Sequence, residues 1–117
     1  MINVSALVST TLATVGCQVC LGAWRADATH PTVPSTYIVY TFMTTPSEYA
    51  EDGMAVIEHY VYLNLWSSGD YATILDAMRT KLLAAGFALI TERLTYEPDT
   101  KMYNMACDWV YREELTA

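Results

Sequence analysis

Residues 55–66 read Ala55-Val56-Ile57-Glu58-His59-Tyr60-Val61-Tyr62-Leu63-Asn64-Leu65-Trp66, and the two-residue period of this stretch decides the fold. Successive side chains of an extended chain point to opposite faces. Ile57, Val61, Leu63 and Leu65 therefore share one face with His59, and Glu58, Tyr60, Tyr62, Asn64 and Trp66 share the other. The first set is an ordinary core face. The second carries amphipathic rings with polar tips, the composition of a surface that meets another protein rather than pure solvent.

Upstream, residues 36–45 hold Tyr37, Ile38, Val39, Tyr40 and Phe42, β-branched and aromatic side chains that suit a pleated surface and crowd a helix. This is a second strand, expected to end at Pro46. Residues 46–53 then contain Glu48, Glu51 and Asp52 with little to bury, and are expected to form a solvated acidic hairpin tip. Further back, Pro31 and Pro34 make residues 26–35 a loop, and the short apolar run 18–24 reads as a brief strand. The chain opens with Asn3 or Ser5 as a helix cap. Val4, Leu7, Val8, Leu12 and Val15 follow at helical spacing, and Gly16 is expected to stop the helix.

Downstream, Ser68-Gly69-Asp70 starts a second helix whose stripe is Tyr71, Ile74, Leu75, Met78 and Leu82, closed by Gly86. Residues 87–96 and 102–112 are two more strands, joined by a turn in Glu97-Pro98-Asp99-Thr100. The order is α-β-β-β-α-β-β. It predicts an α+β fold, a two-layer sandwich of two helices on a mainly antiparallel sheet of four to five strands. At 117 residues the chain has the usual size of one domain, expected to span residues 1–117.

Composition narrows the function. Fifty-three per cent of residues are hydrophobic and 16% charged, against a usual charged share of roughly a quarter. Disorder is excluded, and an apolar surface needing a partner is expected. A net charge of −7 and a pI near 4.5 remove the basic footprint of a nucleic-acid reader. Polar residues such as Asn3, Ser5, Ser9, Thr10 and Gln18 interrupt the apolar opening, so no membrane span is expected, and the first basic residue, Arg25, comes too late for a secretory signal. A chain made and kept in the cytosol follows, with its three cysteines as free thiols.

Catalytic and metal chemistry find little purchase. Cys17 and Cys20 have the spacing of a zinc or redox pair, but only Cys107 and His30 are loosely available as further ligands, so they read as structural thiols. His59 reads as a hydrogen-bonded histidine, buried or at the core boundary, and His30 lies in a loop without a carboxylate in view. The glycines are scattered as turn and cap residues, so no phosphate cradle forms. The spacing of Glu48, Glu51 and Asp52 does not match a calcium loop. No catalytic residue, metal ligand or cofactor is assigned.

In order, the chain presents an amphipathic helix, Pro34-Ser35-Thr36-Tyr37-Ile38-Val39-Tyr40, His59-Tyr60 followed by Trp66-Ser67, Asp70-Tyr71, Leu82 with Gly86-Phe87, and Tyr96-Glu97-Pro98-Asp99-Thr100 with Tyr103. This succession resembles the small tail-completion or tail-terminator proteins of long-tailed bacteriophages and prophages. The resemblance implies a non-enzymatic virion protein, assembled in the host bacterial cytoplasm. It implies a ring, of six subunits, that caps the head-proximal end of a tail tube and stops its growth. Its partners would be copies of itself, the tail tube protein, and a head-tail connector or head-completion protein. A closed ring needs two different complementary patches on each subunit, and Tyr60, Tyr62 and Trp66 are the candidates for one of them. DNA would pass without specific binding, and Glu48, Glu51 and Asp52 are the candidates for an acidic channel wall that repels phosphate. The other reading is a small adaptor or ligand-binding domain whose aromatics line a pocket.

Overall fold

We describe, in a computed structural model of the chain, residues 1–26, 28–29, 31–49 and 55–115, with Glu48 and Tyr49 described by backbone alone. Helix α1 (Val4–Thr11) starts where the Asn3 side chain accepts a hydrogen bond from the Ala6 N–H at 3.0 Å. It buries Val4 and Val8. The helix stops four residues short of where Gly16 would have ended it. Thr10 and Thr11 bring β-branched side chains, and three-residue bonds from Ala13 N–H to Thr10 and from Val15 N–H to Leu12 replace the helical ladder. Leu12 and Val15 are still buried, so the turn continues the apolar face without continuing the helix. Gly16, at φ +104°, then turns the chain into strand β1 (Gln18–Leu21).

Strand β2 (Thr36–Tyr49) pairs in parallel with β1 and antiparallel with β3 (Ala55–Ser67). It runs straight through Pro46, which was expected to end it. The reason lies in the direction of its backbone groups. The Tyr40 carbonyl accepts from the Gly22 N–H on the β1 side, so by alternation residues 42, 44 and 46 also turn their backbone away from β3. Proline withholds an N–H that β3 never used, the one setting in which a sheet tolerates it. The ladder shifts register only after it, between Pro46 and Glu48. The expected hairpin tip is therefore strand as far as Tyr49, and its remainder, with Glu51 and Asp52, lies outside the described residues.

Helix α2 (Ala72–Ala84) begins on Asp70, whose carboxylate accepts from the Ala72 N–H at 2.9 Å and from the Thr73 hydroxyl at 3.0 Å. It ends in paired bonds from the Gly86 N–H to Leu83 and the Phe87 N–H to Leu82, with Gly86 at φ +98°. Strands β4 (Ala88–Glu97) and β5 (Met102–Leu115) form the closing hairpin, and β5 extends three residues past the expected Arg112. Strand order across the sheet is β1-β2-β3-β5-β4, so β5 inserts between β3 and β4 and α2 crosses over it.

The fold is α+β, in the predicted order, with one parallel pair in an otherwise antiparallel sheet. Both helices lie on the face that carries Ile38, Tyr40, Val61, Leu63, Leu65, Met105, Cys107 and Trp109, and Val8, Leu12, Leu75, Met78 and Leu82 join these in one buried cluster. Burying such side chains contributes about 1.5–3 kcal/mol each. The opposite sheet face has no described helix over it.

Candidate assembly surface

The uncovered face takes its residues from the alternate positions of three strands. Register places Tyr37 beside Trp66, Val39 beside Asn64, Thr41 beside Tyr62 and Met43 beside Tyr60. On the other side of β3, Tyr60 meets Val110, Tyr62 meets Asp108, Asn64 meets Ala106 and Trp66 meets Asn104. Tyr60, Tyr62 and Trp66 therefore stand in one row at the centre of this face, each half-buried by its neighbours. The Tyr37 and Trp66 rings stack, with centroids 6.5 Å apart and planes at 19°. Asn104 donates to Asn64 at 3.3 Å, and the Tyr60 hydroxyl donates to Glu58 at 3.2 Å, a bond that raises the Tyr60 pKa above the ordinary phenol value.

At one end of the row a concavity of about 440 Å³ is lined by Val33, Pro34, Ser35, Tyr37, Ser68, Thr100 and Met102. It holds a single aromatic ring and no charged side chain, which is poor furniture for acid-base chemistry. Tyr60, Tyr62 and Trp66 do not line it.

His59 is fully buried on the helix face. Its Nε2 lies 2.9 Å from Glu113 Oε1 and its Nδ1 2.8 Å from the Thr44 hydroxyl. Glu113 also accepts the Ile2 N–H at 3.1 Å. The His59 bond, first, and the Ile2 N–H hold the Glu113 carboxyl below its ordinary value. These contacts tie the start of α1 to the far ends of β2, β3 and β5. Glu113 was absent from the sequence reading because it falls just past the expected end of its strand.

Cys17 and Cys107 are free thiols. Burial pushes the Cys17 thiol up to about 11 and the Cys107 thiol up to about 12, which suppresses the thiolate that metal binding and redox exchange require. Among the described residues no three His, Cys, Asp or Glu side chains converge on a metal position. His30 lies outside the described residues, and the side chains of Glu48, Glu51 and Asp52 do as well.

Sequence reasoning also missed a second exposed apolar set. Leu89, Ile90, Leu94 and Tyr96 on β4 and Phe42 and Met43 on β2 are all exposed. Both strands were read as paired elements, and only sheet order reveals which strand stands at an edge.

The two-layer α+β sandwich thus leaves one aromatic-bearing sheet face without a helix over it among the described residues. The model of the family described as tail completion protein gp17 matches residues 5–112, and the chain belongs to that family of structural phage-tail proteins. Among solved structures, a chain from the "virion of native gene transfer agent (GTA) particle" has a similar fold. Its TM-score is 0.55 at 12% identity, covering 94% of this chain and 86% of that one. No curated protein matches the chain in a sequence search.

Proposed function

We propose that this tail protein acts as a ring of copies, six in number, on the head-proximal end of a tail tube, where it stops tube growth and forms the joint to the head connector or head-completion protein. Its place would be the virion, reached by assembly in the host cytoplasm. The observation that carries the reading is the uncovered row of Tyr60, Tyr62 and Trp66 in a chain of the tail-completion family. Tyrosine and tryptophan are the residues that most often anchor protein interfaces. A ring subunit must also offer two unlike patches, because rotation brings one face of each copy against a different face of the next.

The acidic segment has a matching role. With a net charge of −7, the chain presents no general attraction to phosphate. Glu48, Glu51 and Asp52 would line the channel and keep passing DNA from adhering.

Replacing Tyr60, Tyr62 and Trp66 together by threonine keeps strand propensity while removing the rings. The variant should fold, by circular dichroism, and should lower the yield of joined heads and tails about tenfold or more. Joining at the wild-type yield would remove these residues from the interface.

A further inference from the structure

The sheet has two free edges that fit each other. Among the described residues, strand β4 stands at one side of the sheet with no strand beyond it. On the other side β1 covers only residues 37–40 of β2, so residues 41–49 form a second bare edge among the described residues. The directions of the backbone groups follow from the alternation already set by Tyr40. Phe42 and Thr44 turn their N–H and C=O groups outward. Carried through the register of β3 and β5, the same alternation turns Glu92, Leu94 and Tyr96 outward on β4.

Each edge keeps a stretch between its protective features: on β2 residues 41–45 precede Pro46 and the register shift beside it, and on β4 residues 91–97 follow the bulge at Leu89/Thr91, with Glu92, Arg93 and Glu97 as the charged side chains. Natural sheets blunt edges with lysine, with proline or with a covering loop. Here β4 is ten residues long and contains no lysine or proline. Leu89, Ile90, Leu94 and Tyr96 are between 42% and 51% exposed. On β2 only Pro46 withholds a donor, beyond Phe42 and Thr44. Phe42 and Met43 there are 41% and 50% exposed.

Resting on the ring reading above, we infer that β4 of one copy pairs antiparallel with residues 41–46 of β2 in the next copy, the Pro46 carbonyl accepting from the Glu92 N–H, making a continuous sheet from subunit to subunit. A second copy is the fitting occupant for three reasons. The two edges lie on opposite sides of the sheet, which is the arrangement a head-to-tail contact requires. The strands β2 and β4 run in opposite directions within the protomer, so copies related by rotation about an axis along the strands meet antiparallel. The third reason is their height. Leu94 is level with Met105, Leu65 and Ile38, so seating it against Thr44 of the next copy shifts that copy by six residues, roughly 20 Å, across four strand spacings of roughly 19 Å in all. Strands then tilt about 45° from the ring axis, at the upper end of the range found in closed barrels.

Proline tests this without breaking the protomer, as native Pro46 shows. Leu94→Pro and Phe42→Pro each remove one outward N–H and leave the internal ladder whole. By analytical ultracentrifugation at increasing concentration, the wild-type chain should self-associate and each variant alone should stay monomeric. An equal mixture should form dimers and nothing larger, since each variant keeps one good edge. Hydrogen exchange gives a second reading that needs no variant: the amides of Phe42, Thr44, Glu92, Leu94 and Tyr96 should slow tenfold or more on association. A wild-type chain that stays monomeric overturns the inference. So do Phe42→Pro dimers, an inert mixture, or unchanged exchange at those five amides. Rings that persist in both proline variants would overturn edge pairing and leave the capping role standing.

Discussion

Glu113 carries a charge that two distant parts of the chain address together, the buried His59 ring and the Ile2 N–H. Because its folded pKa lies below its unfolded value, its contribution is fully present above the ordinary carboxylate range. That contribution is lost as pH falls through the lowered folded value. Glu113→Gln should therefore melt at lower temperature than wild type at pH 7, and the gap should close as the pH is taken down towards 3. A constant gap over that range would mean that the carboxylate charge does not matter. His59 was legible in the sequence as a bonded histidine, buried or at the core boundary, because it sits on an apolar alternating face. Its partner was not legible, since a contact between residues 54 apart in sequence depends on a register that no local pattern fixes.

Elements with strong local signals were legible and those decided by neighbours were not. Helix α2 has a cap, a stripe and a glycine stop, and all three act as the sequence implied. Gly86 stands at φ +98°, a region costly for a side chain, although a Cβ there would meet nothing nearer than Tyr111 at 3.4 Å. Gly86→Ala should then cost about 1–2 kcal/mol in urea denaturation, all of it from the backbone. A neutral substitution would show that the cap is not held in that conformation. The end of β2 went the other way, because Pro46 breaks a strand only when its missing N–H faces a partner. Whether it does depends on which side β1 stops covering, a tertiary fact. The bare face of β3 was readable from its alternation, whereas the bare edge of β4 needed the strand order β1-β2-β3-β5-β4.

On the scale of the whole molecule, an apolar composition and a net charge of −7 act on different surfaces. On the proposed ring reading, the aromatic face and the edges would account for the first by meeting other subunits. On the same reading, the second would suit a channel wall that repels passing DNA. Changing Glu48, Glu51 and Asp52 together to lysine should leave tails intact and slow DNA ejection, with a slowing that shrinks as salt rises, because added ions screen the attraction. Ejection at the wild-type rate in low salt would place those residues away from the channel. The most direct test of the central claim is electron microscopy of particles made in cells that lack this chain. The account predicts tail tubes of uncontrolled, often excessive length with no heads attached, both restored by supplying the chain. Tubes of normal, uniform length joined to full heads would contradict it.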